Sequence, residues 1–446
     1  MSTGTHGALL HYSCMKGSSR IADAVYSAVA DTSRNGDLEG VANSDERGNF
    51  LRHAASLALT KTADGLIDPK LVLSWLLQSI GASSFWIGLL VPVREAGALL
   101  PQLLTSERIH ALPRRKWAWS AGSAVQGVAA AGIAVAGVAL EGNLAGVAIV
   151  LLLAILALAR SVCSVSYKDV LGKTVGKTRR GTATGLASSV ASTAVIAFAI
   201  VLMTGWFERF AVVIAALTLA AAFWLLAAAL FSTLSEPESH NDKPEGTFRA
   251  ALAQMSAFKE DAQLRRFIVA RGLLVGTALA PPYLVILASE AGQTAFESLG
   301  VLLLASSVAA LVSGYMWGRL SDRSSRRVLV YSGITAAAAL SAAVLASWAG
   351  LMGAFITVPF ILFALMLSYN GVRQGRSTHR VDMADEDTRA KYTAVSNTLI
   401  GIILLGSGLF GAIASSFGAV WTIALFALMS LAGAAAAYRL QEVQDD

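Results

Sequence analysis

The stretch "TKTADGLIDPK", residues 60–70, places Lys61, Asp64, Asp68 and Lys70 directly before the apolar run "LVLSWLLQSIGASSFWIGLLVPV" of 71–93. Read as a single span, 71–93 leaves 60–70 in water and gives an odd number of crossings. Cut near Gly81-Ala82-Ser83-Ser84, it becomes the end of one span and the start of the next. The first span then begins near Ala54, and 61–70 lie at membrane depth.

The remainder of the chain favours the cut. Of 446 residues, 55% are hydrophobic and 14% charged, whereas a soluble domain carries about 25% charged residues. Apolar runs recur at lengths that cross a bilayer core of about 30 Å. The alternating segments of a transmembrane barrel are absent. With the cut in place, spans are predicted at 54–80, 82–105, 117–140, 144–166, 183–205 and 210–233, then at 266–289, 297–317, 328–348, 351–370, 393–414 and 417–438.

Basic residues test this parse, because lysine and arginine collect on the cytoplasmic side. One alternating set of segments, made up of the tail to Arg52, the loops 106–116, 167–182, 234–266, 318–327 and 371–392, and the C-terminus, holds 29 of the 35 basic residues. The loops on the opposite side hold only Arg209. The expectation is an all-α polytopic membrane protein of twelve transmembrane helices with both termini cytoplasmic. Its parts are a polar tail (1–53), a six-helix bundle (54–233), a linker (234–265), a second bundle (266–438) and a short tail (439–446).

The two bundles read as pseudo-repeats. "SYKDV" from Ser166 is echoed by "SYNGV" from Ser368, and "RIHALPRRK" from Arg108 by "RLSDRSSRR" from Arg319. The segment "GYMWGRLSDRSSRR", 314–327, resembles the loop signature of the major facilitator superfamily. In the first-half copy Ala111 stands at the aspartate position and Glu107 at the glycine position. Arg160, late in the fourth span, resembles that family's membrane-embedded arginine, while the fifth-span glycine–proline pair of its antiporters is missing. The resemblance implies two bundles rocking about a central cavity. It also implies a cytoplasmic gating loop in which Asp322 pairs or caps across helix ends with Arg323 and Arg326, beside Gly318.

Embedded charge carries the chemistry. On a helix, Lys61, Asp64 and Asp68 share one face, because steps of three and four residues stay within about 60° of a line. Pro69 removes a backbone donor there, and Pro281-Pro282 interrupt the seventh span at a matching depth. Paired interruptions point to a transporter's binding site, so Pro69, Pro281 and Pro282 are expected to line the cavity. Arg94 and Glu95 sit at mid-depth of the second span, with Arg160 in the fourth and Arg271 in the seventh. With Lys61 and Lys70 this makes five bases against three acids. Eight isolated charges would cost more than about 20 kcal/mol, above the about 5–15 kcal/mol stability of a typical domain. They must pair, face water or titrate. Lys70 and Arg271, nearer span ends, can snorkel. Asp64, Asp68 and Glu95 are candidate proton carriers, with Arg94 and Arg160 as counter-charges.

Other chemistries find no support. "GKTVGKT" lacks the first glycine of a phosphate loop, the six histidines show no metal spacing, and no nucleophile elbow occurs. Cys14 lies in the polar tail and Cys163 in a span, which argues against a disulfide, and no cleavable signal is read at the start. No cofactor, metal, nucleic acid or enzymatic activity is expected. The reading is a monomeric inner-membrane transporter of a small organic solute, anionic or zwitterionic, coupled to protons. The alternative is a non-transporting receptor or assembly factor on the same bundle.

Overall fold

The computed structural model describes residues 41–102, 105, 108–109, 111–238, 258, 261–292 and 299–444. Cys14, Glu107 and linker residues 239–257 lie outside them. Helix α1, Val41–Leu66, stops ahead of Pro69, whose missing N–H cannot extend the ladder. Asp68 turns the chain: its Oδ1 accepts from the backbone N–H of Lys70 at 2.7 Å and of Leu71 at 3.1 Å. Helix α2, Val72–Ser79, follows, and Gly81 at φ +76° makes a turn that residues with a Cβ disfavour. Helix α3, Ser84–Leu99, then runs back. The run 71–93 is therefore two helices. The Gly142 N–H donates to the Ile80 carbonyl at 2.8 Å and the Ser83 N–H to Asn143 Oδ1 at 3.2 Å, so these two turns share one end of the molecule.

Four long helices follow: α4 (Lys116–Ala139), α5 (Gly142–Thr174), α6 (Lys177–Thr204) and α7 (Arg209–Ser232). The second half begins with a segmented rod, α8 (Ala262–Leu273), α9 (Gly276–Leu279) and α10 (Pro281–Glu290). It continues with α11 (Leu299–Arg323), α12 (Ser325–Trp348), α13 (Thr357–Asp382), α14 (Glu386–Gly406), α15 (Leu409–Phe417) and α16 (Ala419–Tyr438). Among the described residues, nine helical stretches are long and apolar enough to cross a membrane. The rods that fall short are α1 with α2, α3 and α13, and these carry Lys61, Asp64, Arg94 and Glu95.

One packing pattern occurs twice. Helix α4 packs on α5 and α7, as α12 packs on α13 and α16; α3 packs on α5, as α11 does on α13; α1 packs on α6 and α7, as α8 does on α14 and α16. Small residues let these helices approach: a Cβ on Gly333 of α12 would meet Ala434 Cβ of α16 at 2.8 Å. Large apolar side chains such as Val128, Leu151, Phe360 and Trp421 are exposed, as suits a bundle surrounded by hydrocarbon. The halves meet where α3 packs on α14 and α15, α6 on α11, and α2 on α10. At the last of these, Gln78 Nε2 donates to Ser289 Oγ at 3.1 Å.

Two boundaries differ from the sequence reading. Residues 41–53, assigned to the polar tail, belong to α1, where Phe50 is fully buried and Glu46 pairs with Arg179 at 2.6 Å. The supposed loop 371–392 is mostly helix, because α13 runs on to Asp382 and α14 starts at Glu386. Long helices that continue past the apolar spans carry the basic residues that a hydropathy reading consigns to loops.

The loop end of the first half is tied by partly buried ionic contacts. Arg115 pairs with Asp169, which also meets Lys173 Nζ at 2.6 Å. Glu236 accepts from the backbone N–H of Arg115 at 3.0 Å and of Lys116 at 2.7 Å, so it supplies the acid that the loop lacks at Ala111. Asn49 and Ser235 exchange two hydrogen bonds, each of 3.0 Å. Asp169→Asn removes one ionic contact of a buried guanidinium, and is expected to cost about 1–3 kcal/mol. Thermal unfolding in detergent, several degrees lower than wild type, checks it.

In the second half, Asp261 caps α8: its Oδ1 accepts from the N–H of Gln263 at 2.7 Å and of Leu264 at 3.1 Å, and its Oδ2 from the Tyr392 hydroxyl. Burial pulls this carboxyl up, but the Tyr392 bond and the two backbone donors outweigh it, leaving it below its ordinary range. A group lowered on folding stabilises fully above its unfolded value, about 3.9, and loses that contribution as pH falls. The melting gap between wild type and Asp261→Ala should therefore be widest near neutral pH and narrow on acidification below about pH 4.

Candidate functional site

Asp64 lies in the last turn of α1, and guanidiniums from two other helices take its two oxygens. Arg94 Nη2 of α3 stands 2.6 Å from Oδ1, and Arg160 Nη1 of α5 donates to Oδ2. One carboxylate is thus shared by two bases. One turn earlier, Lys61 Nζ donates to Ser188 Oγ of α6 at 2.7 Å.

The expected stripe is corrected at Asp68. The helix has ended at Leu66, and Asp68 caps the following turn instead of sharing a face with Lys61 and Asp64. Lys70 and Arg271, which could have snorkelled, are instead both buried. Lys70 Nζ sits 3.7 Å from the ring centroid of Tyr369 on α13, a cation–π contact between the two halves. Arg271 Nη1 donates to Ser396 Oγ at 2.7 Å and Asn397 Oδ1 at 3.2 Å.

Two cavities adjoin these charges. One of about 260 Å³ lies within the first half, its wall including Lys61, Asp64, Arg160, Gln126 and Tyr167. The other, about 30 Å³, lies between the halves, and there Glu95 shares the wall with Arg271, Arg373 and Arg376. Neither lining includes a proline. Pro69 sits in the turn before α2, while Pro281 and Pro282 are buried at the start of α10. The residues near the second interruption that do reach the smaller cavity are Leu274, Val275, Thr277 and Ala278.

Arg373 and Arg376 escaped the sequence reading because they were counted as loop. With Tyr369 they step by four and three residues, the spacing of one helix face, and that signal was available. The internal repeat also reaches the site: Tyr167 of "SYKDV" lines the larger cavity and Tyr369 of "SYNGV" the smaller.

The Major Facilitator Superfamily model matches residues 55–402. The chain belongs to the major facilitator superfamily. No curated protein sequence matches it. Among solved structures, a POT family transporter in complex with 5-aminolevulinic acid superposes with a TM-score of 0.66 at 9% identity, over 87% of this chain and 95% of that one. The D-xylose–proton symporter gives 0.65 at 10%, over 89% and 98%. The nucleoside transporter NupG gives 0.62 at 14%, over 88% and 98%. This superfamily member is a multi-pass membrane transporter and not an enzyme.

The superfamily's loop signature takes an unexpected form here. Gly318, Asp322 and Arg323 lie on α11, Arg326 lies in the first turn of α12, and Ser324 alone separates the helices. A Cβ on Gly318 would meet nothing within 4 Å, so no close approach requires the glycine. Asp322 and Arg323 are exposed and form no ion pair among the described residues. The C-terminal segment clasps this turn instead. Ser324 Oγ donates to Glu442 Oε2 at 2.6 Å, Arg326 Nε stands 3.3 Å from the same oxygen, and the Ser325 N–H donates to Gln444 Oε1 at 2.8 Å.

Proposed function

We propose that this superfamily member is a proton-coupled secondary transporter of a small organic solute, anionic or zwitterionic, in the inner cell membrane. Twelve spans in two six-helix halves, α1–α7 and α8–α16, would alternate access around the Asp64 cluster with both termini in the cytoplasm. The observation that carries this reading is one carboxylate shared by Arg94 and Arg160 at the edge of a cavity. A proton on Asp64 and its two ion pairs compete. Loading the proton frees two guanidiniums to take an anionic group of the solute, and solute release returns them to Asp64. Arginine suits this exchange because its planar fork matches carboxylate geometry.

Alternating access is supported by where the halves touch. They close at the Gln78–Ser289 end, while Lys168, on the wall of the larger cavity, is exposed toward the end rich in basic residues. On this reading the structure faces inward. Proteoliposomes holding a pH-sensitive dye, screened with carboxylic and amino acids under an imposed gradient, test it. A solute-dependent pH change is expected. Solute exchange without any pH change would remove proton coupling, and absence of both would remove transport.

A further inference from the structure

The larger cavity has features that the charge cluster does not use. Trp224 and Gln126 line it and are almost fully buried, yet Trp224 Nε1 and Gln126 Oε1 find no partner among the described residues. These atoms have opposite hydrogen-bonding sense, since the indole N–H donates and the amide oxygen accepts. Gln126 Nε2 is already committed, to the Gly122 carbonyl at 3.3 Å and Cys163 Sγ at 3.4 Å, which leaves Oε1 for another donor. The Tyr167 hydroxyl is a third buried group without a partner there. Leaving such groups unmet costs about 1–3 kcal/mol each, so they call for an occupant.

The shape and charge of the wall narrow what that occupant is. Trp119 is fixed by stacking on Phe231, with centroids 3.9 Å apart, and so offers a rigid aromatic side. Lining bases outnumber acids, with Lys61, Arg160 and Lys168 against Asp64. The volume is about 260 Å³, and a cavity of about 150 Å³ already admits benzene. One substituted ring fits. A hydroxyl is the group that accepts from Trp224 and donates to Gln126 at once, and a carboxylate is what Arg160 and Lys61 would meet.

We propose that this cavity binds a single-ring hydroxylated aromatic carboxylate, with its ring against Trp119 and Tyr167, its hydroxyl between Trp224 and Gln126, and its carboxylate toward Arg160 and Lys61. As the transported solute it rests on the transporter reading; as a binding site it does not. Aliphatic acids lack the ring, and neutral aromatic alcohols lack the charge.

Equilibrium binding of radiolabelled 4-hydroxybenzoate and benzoate to the full-length purified protein tests this. Saturable binding is expected, displaced by unlabelled benzoate but not by equal propionate or benzyl alcohol. Trp224→Phe keeps the ring and removes the N–H, and Gln126→Leu removes the acceptor. Each should weaken 4-hydroxybenzoate about five- to tenfold while changing benzoate little, since benzoate has no hydroxyl to place. Retained benzoate binding shows that the variants are folded. No saturable binding of either probe to the wild type, equal displacement by propionate, or an unchanged preference for 4-hydroxybenzoate in both variants would overturn the proposal. Counterflow separates the two readings. Binding without flux of any solute removes the transporter and leaves the site, whereas flux of other solutes without benzoate binding removes the site alone.

Discussion

Asp64→Asn is expected to cut solute-driven proton movement by about a hundredfold or more, because the variant deletes the charge that Arg94 and Arg160 share. Asparagine keeps the volume and one acceptor oxygen but carries no titrating group. Arg94 is then buried without its counter-ion, and breaking such a pair costs about 3–5 kcal/mol, about two to four orders of magnitude in an equilibrium. The Tm should fall as well, so flux is normalised to folded protein, and counterflow of labelled against unlabelled solute shows whether binding survives. Glu95→Gln is the necessary companion, because Glu95 is also a carboxylate on a cavity wall, set among Arg271, Arg373 and Arg376. If Glu95→Gln stops the flux and Asp64→Asn does not, the proton travels on Glu95 and the role given to Asp64 is wrong.

Gly411→Val should shift the protein away from the state described here. Helices α3 and α15 cross through Gly88 and Gly411. A Cβ on Gly411 would stand 2.7 Å from the Phe85 carbonyl oxygen and 3.3 Å from Gly88 Cα, both backbone atoms that cannot rotate away. A Cβ on Gly88 would stand 2.5 Å from Gly411 Cα. Overpacking of this kind costs about 1–3 kcal/mol or more, a shift of about 5- to 150-fold between two states. Separation of the halves relieves the clash, so the Gln78–Ser289 contact should open. A cysteine at Ser289, in a background lacking Cys14 and Cys163, should then react faster with an impermeant thiol reagent in Gly411→Val than in the parent. Equal labelling would show that α3 and α15 do not control that end.

The fold was legible in the sequence where physics is one-dimensional. Length and apolarity marked most of the long helices, and the alternation of lysine and arginine placed the cut at 81–84, where Gly81 indeed takes a positive φ. The site was legible only in part. Asp64, Arg94 and Arg160 stood out because uncompensated charge among apolar residues demands a partner, and they are partners. Asp68 misled because helical periodicity was carried past the point where Pro69 ends the helix. Lys70 and Arg271 misled because snorkelling treats a span as alone in lipid, whereas Tyr369, Ser396 and Asn397 come from helices nearly 300 or more than 120 residues away. The C-terminal clasp on Ser324 and Arg326 left no trace, since nothing local ties 324–326 to 442–444.

The rods too polar or too short to cross a membrane by their own composition have a bearing on how the protein is made. The translocon sorts each emerging segment by its solubility in oil, and a charge at mid-helix weighs against release by about 2.5–3.5 kcal/mol. Asp64 and Arg94 emerge close together and can cancel early, but Arg160 arrives only once α5 has been synthesised. Helices α1 to α3 are therefore expected to depend on α5 for their full shelter from lipid. Insertion of the first half is expected to be cooperative, with the Asp64 cluster completed only after Arg160 has been made.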